Sequence, residues 1–115
     1  MLLKVDPASS QPIHDQLAGQ LRQAIAAGDP APGDKLPPAR QLADSLGVNV
    51  HTLLRAFQSL KEEGLLDVRR GRGTIVTDTA PRQARFVSIA RELVAEARRV
   101  GLADDEIRQL VEAQL

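Results

Sequence analysis

The sequence predicts a mostly α-helical chain carrying one small β-hairpin, and three observations lead there. Apolar residues recur at helical spacing from Ile13 to Ile25, from Leu42 to Leu60 and from Phe86 to Val100. Two short β-branched or apolar runs, Leu65–Val68 and Thr74–Thr77, flank the stretch RRGRG, the pattern of a tight two-stranded hairpin. Glycine and proline punctuate the joints, in GDPAPGD, in LPP, at Gly47, Gly64 and Gly101, and at Ala80-Pro81.

Taken in order, Pro12 suits the start of a first helix, on which Ile13, Leu17, Leu21 and Ile25 form a stripe widened by Ala18 and Ala24. Gly28 closes it. Pro37 and Pro38 can fill the first turn of a second helix with Leu42 and Leu46 on one face. A third helix runs from about Asn49, a side chain suited to an N-cap, to Glu63, with Gly64 as its stop. The hairpin follows. Beyond Ala80-Pro81 a fourth helix carries Phe86, Ile89, Leu93, Val94, Ala97 and Val100, and Gly101 ends it. A last short helix carries Ile107, Leu110 and Val111. There is no internal repeat.

Composition narrows the function classes. At 115 residues and 43% apolar content the chain can build a modest core, not a large enzyme with a deep cleft. It lacks cysteine, which removes disulfides and thiolate metal sites and suits the cytosol. No run is apolar enough to span a bilayer, and Met1–Ser10 does not have the form of a leader. The two histidines, His14 and His51, lie far apart, so neither catalysis nor a metal site is expected, and no cofactor is implied. GRGT lacks the strand–loop–helix setting of a phosphate loop. Two phenylalanines and no tyrosine or tryptophan leave little platform for stacking single-stranded nucleic acid.

Net charge is zero, but it is unevenly spread. Residues 35–82 hold eight basic against five acidic side chains, a net of +3, between flanks of −2 and −1. A pI near 6.7 is not that of a strongly basic nucleic-acid binder, so any grip on DNA must come from a local face.

That face is suggested by QLADSLGVNVHTLLRAFQSL, Gln41–Leu60. Leu42, Leu46, Val48, Leu53 and Ala56 read as inward positions of two helices crossing steeply, Ala43 permits close approach, and Gly47 supplies the turn. This is the arrangement of a helix-turn-helix, whose second helix enters the DNA major groove; an ordinary αα-hairpin in a bundle shares it. The hairpin placed directly behind, with Arg69, Arg70 and Arg72 at its tip, is then a wing whose cations reach sugar-phosphate or the minor groove. A turn that merely exposes charge is the plainer reading of the same arginines.

In PIHDQLAGQLRQAIAAG, PGDKLPPARQLADSLGVN, TLLRAFQSLKEEGLL and RRGRGTIV the chain resembles the DNA-binding domain of GntR-type bacterial transcription regulators, over about residues 11–77. The two-helix appendage is short for most branches and resembles the small YtrA-type branch. The resemblance implies a winged helix-turn-helix over residues 1–79, a dimerisation segment over 80–115, and a homodimeric cytoplasmic repressor on a palindromic operator, with no larger effector domain. It implies DNA contacts for Arg40, Thr52, Arg55, Arg70 and Gly71, to which Asn49, His51, Arg69 and Arg72 are added from their placement.

The chain departs from the wider family at Val50 and Leu54, where many members carry arginines. The pair is expected chiefly to extend the core or its rim; the alternative is contact with thymine methyls in the groove. For the appendage, Phe86, Ile89, Leu93, Val94, Ala97, Ile107, Leu110 and Val111 are expected to form the dimer seam, rather than to pack on the Leu17/Leu21 helix. The rival function is a winged helix that binds another protein and not DNA.

Overall fold

The computed structural model describes residues 2–115. Helix α1, Ile13–Ala26, starts where the Pro12 carbonyl accepts from the amides of Asp15 and Gln16, both at 3.1 Å. Leu17, Leu21 and Ile25 are fully buried, so the four-residue stripe is the core face. Two glutamines on α1 tie down the segment ahead of it. The Gln20 amide donates to the Lys4 carbonyl and accepts from the Lys4 N–H, and Gln16 does the same for Asp6. Each side chain thus stands in for a neighbouring β-strand.

Helix α2, Ala39–Leu46, begins after the two prolines rather than containing them in its first turn. The reason lies in the preceding backbone. Leu36 N–H donates to the Thr74 carbonyl at 2.8 Å, which holds residues 35–36 extended, and Pro38 in turn disfavours helical geometry at Pro37. Gly47 takes φ +69, and the Val48 N–H returns to the Ala43 carbonyl at 3.0 Å. That left-handed turn is strained for any residue with a Cβ, which is why glycine stands at the junction. Helix α3, Val50–Glu62, follows at once.

Strand β1, Leu66–Arg69, pairs antiparallel with β2, Gly73–Val76, in the register Leu66↔Val76 and Arg69↔Gly73. Each strand lies one residue nearer the tip than the expected Leu65–Val68 and Thr74–Thr77, because Leu65 is spent on the turn out of α3, its N–H bonded to the Leu60 carbonyl. The outer edge of β2 is covered. Lys35 bridges Ile75, and backbone bonds of 2.8–2.9 Å join Gly33, Asp34 and Leu36 to Val76 and Thr74.

The core gathers Leu17, Leu21 and Ile25 from α1, Leu53, Ala56, Phe57 and Leu60 from α3, Ala43 from α2, and Leu36, Leu65, Leu66 and Val76 around the hairpin. Leu42, Leu46, Val48 and Val50 pack against its rim. Helix α4, Ala80–Arg99, starts at the residue expected for a new segment, yet the chain divides into compact units only after Arg85. Ala80 and Ala84 are completely buried members of the first unit's core, so the opening turns of α4 belong to it.

The second unit, Phe86–Leu115, holds the rest of α4 and helix α5, Asp104–Glu112. Arg98 donates to Asp104 at 3.0 Å, and Glu106 reaches back to the Ala103 N–H at 3.0 Å to cap α5. Asp104, Asp105 and Glu106 place negative charge on the positive end of its dipole. Ala97 and Ile107 are buried within the single chain, at 6% and 7% exposure. Two of the residues expected in the seam are thus covered by the chain itself. Leu93 and Val94 are half-buried, whereas Phe86, Ile89, Leu110 and Val111 are exposed.

Candidate nucleic-acid interface

Helix α3 sorts its residues by phase. Leu53, Ala56, Phe57 and Leu60 face the core, and His51, Leu54, Arg55 and Gln58 are all exposed. These four are spaced i, i+3, i+4 and i+7, which puts them on one outward stripe. Thr52, at the edge of that stripe, is half-buried. Asn49 plays a structural part, because its Oδ1 accepts the His51 N–H at 2.8 Å and caps the helix. That bond uses one lone pair of its side-chain oxygen and leaves the other, with the amide NH2, for any further partner.

Of the pair expected to extend the core or its rim, Leu54 lies outside the core cluster. It is 44% exposed, while Val50 is partly buried against the core rim. The two are four residues apart, but 3.6 residues make a turn, so the later one rotates further from the core. On a short helix already filled by Leu53 and Phe57 that drift suffices.

The hairpin tip is a β-turn closed by the Arg72 N–H on the Arg69 carbonyl at 2.9 Å, with Arg70 and Gly71 between. All four tip residues are exposed. Their charges are not equivalent. Arg69 is paired with Asp67 at 2.9 Å, whereas Arg70 and Arg72 make no ion pair among the described residues. Arg40, exposed on the first turn of α2, and Arg55 on α3 are likewise unpaired there. By contrast Arg98, Arg99 and Arg108 of the second unit each hold a carboxylate within 3.0 Å. A cation left without a protein partner keeps its full attraction for phosphate.

Two further residues, Gln58 and Lys35, are not among those expected from the sequence. Gln58 completes the outward stripe, and counting seven residues on from His51 finds it. Lys35 lies along the hairpin: a Cβ added at Gly73 would come 2.8 Å from its Cε, so the lysine stem crosses the glycine. Nothing in PGDKLPP announces that contact, since it joins residues 38 positions apart. His14 lies 3.2 Å from Asp15, and no group of residues that could hold a metal occurs among the described residues. Nor is any described helix long and apolar enough to cross a membrane.

A helix pair turned on Gly47, an exposed second helix and a cation-tipped hairpin directly behind it define a winged helix-turn-helix DNA-binding domain. The model for bacterial regulatory proteins of the gntR family matches residues 13–76, more than half of the chain, and the chain belongs to that family, in its YtrA-type branch. It is 38% identical over 79 residues to the HTH-type transcriptional repressor YtrA of Bacillus subtilis, a match covering 69% of this chain and 61% of that protein. The solved structure of YtrA from Sulfolobus acidocaldarius, a GntR-family transcription factor, superposes with a TM-score of 0.65 at 36% identity, over 96% of this chain and 94% of that one. The DNA-binding domain of AraR, solved in complex with operator ORX1, matches with a TM-score of 0.59 at 30% identity, over 67% of this chain and 99% of that one. The chain thus carries the DNA-binding domain of a GntR-family transcriptional regulator.

Proposed function

We propose that the protein is a cytoplasmic repressor that binds a palindromic operator as a homodimer. Helix α3 lies in the major groove, presenting His51, Arg55 and the edge residue Thr52. Arg40, Arg70, Arg72 and the backbone at Gly71 meet sugar-phosphate, and Arg69 joins them only when DNA draws it from Asp67. Asn49 caps α3 and adds to the interface through the rest of its side-chain amide. The observation carrying this reading is the set of exposed guanidinium groups without a carboxylate partner among the described residues, Arg40 and Arg55 on the helix pair and Arg70 and Arg72 at the hairpin tip. The repressor name carried by the Bacillus relative and the operator complex of AraR support the sense of regulation and the DNA partner.

Exposed Phe86, Ile89, Leu110 and Val111, with half-buried Leu93 and Val94, form the seam in this reading. A few arginine contacts at one half-site bind weakly at cellular salt, and joining two half-sites makes the second engagement nearly intramolecular. Fluorescence polarisation against the DNA upstream of the protein's own gene tests the whole. Sequence-selective, salt-sensitive binding by a sedimenting dimer is expected. Absence of binding even at low salt would point to a protein partner instead, and a strict monomer at micromolar concentration would remove the avidity.

A further inference from the structure

Leu54 is the one apolar residue on the outward stripe of α3, between His51 and Arg55 and facing away from a core that has fully enclosed its neighbour Leu53. We infer that Leu54 is a specificity-determining residue that selects a pyrimidine carrying a 5-methyl group, thymine in ordinary DNA, in each half-site. This rests on the reading of α3 as the groove-bound helix.

The chemistry of the groove leaves few choices for such a side chain. Leu54 is the fifth residue of α3, within the N-terminal part of the helix that approaches base edges in this architecture. It has neither donor nor acceptor, so against most base edges it would strip water from polar groups and give nothing back. The exception on the major-groove edge is the thymine methyl, which gains by leaving water together with the leucine. Arg55, next in sequence, carries the donors that suit guanine or phosphate, so adjacent positions ask for different partners. An arginine at position 54 would instead add charge and seek guanine or phosphate. Leucine removes that contribution and asks for a methyl group. Burying one methyl group favours binding about fourfold, hence about sixteenfold for two symmetric half-sites.

The experiment uses the full chain and duplexes selected from a random-sequence library, resynthesised with deoxyuridine replacing one thymine at a time, a change that deletes only the methyl group. The expected result is one thymine per half-site whose replacement weakens binding about fourfold, with Leu54→Ala binding both duplexes equally and Leu54→Met keeping the preference. Circular dichroism and melting should show Leu54→Ala folded as the parent is. Equal uracil penalties in the parent and Leu54→Ala, or no penalty at any thymine, overturn the assignment while leaving DNA binding intact. Collapse of the Leu54→Ala fold overturns it too, by making the residue part of the core. Failure to enrich any duplex removes the groove-bound helix and this inference with it.

Discussion

The guanidinium of Arg22 is held by the carboxylate of Glu63 through two parallel bonds, Nε to Oε1 and Nη2 to Oε2, each 2.7 Å long. Arg22 is only 5% exposed, so this fork joins the middle of α1 to the end of α3 in a nearly dry setting. Removing one member of such a pair strands the other. Glu63→Gln should therefore destabilise the protein by about 3 kcal/mol in urea unfolding. The double change Arg22→Met with Glu63→Leu should recover most of that loss, because burying matched apolar groups carries no desolvation penalty. A Glu63→Gln variant as stable as the parent would show that Arg22 reaches water.

Leu53 and Leu54 are neighbours in sequence with opposite surroundings. Leu53→Ala should cost about 3 kcal/mol through lost burial and a residual cavity, whereas Leu54→Ala should change stability by less than about 0.5 kcal/mol. Thermal melting of the two variants side by side measures the difference. Comparable losses would place both in the core.

Asn49 is exposed and accepts from the His51 amide, so its truncation chiefly removes a cap. Asn49→Ala should lower stability by about 1 kcal/mol, and Asn49→Ser should restore nearly all of it. If serine fails as alanine does, the cap is not what the side chain supplies.

Arg70 is unpaired among the described residues, and Arg69 is held by Asp67. Arg70→Ala should weaken DNA binding on all sequences alike and lower the dependence of log affinity on log salt by about one unit. Arg69→Ala should do less, since its guanidinium must first leave a carboxylate. Titrations at four salt concentrations read both slopes; a larger change for Arg69 would reverse the ranking.

Whatever depends on short-range periodicity is legible in the sequence. The stripe on α1, the turn at Gly47, the cap at Asn49 and the hairpin around RRGRG all follow from residues within one or two turns of each other. The arginines of the candidate interface are legible for the same reason. Long-range relationships are not. The Arg22–Glu63 fork spans 41 positions, and the Lys35 contact with Gly73 exists only once the hairpin has folded back. Arg22 does leave a trace, since it shares the flank of Ala18, also buried. Leu54 departs from expectation because apolar residues spaced by four need not share one environment when the edge of the buried face runs between them. Ala97 and Ile107 are covered within the chain itself, which an apolar stripe does not reveal in advance.

The backbone pairing of Gly33–Leu36 along β2 gives the hairpin a second anchor, in the connector between α1 and α2. The ribbon is thus a braced lever and not a loose flap. Lengthening or shortening that connector would tilt its tip without altering a single arginine. Reach along the duplex is therefore adjustable from a distance, by a stretch of chain that need never touch a nucleotide.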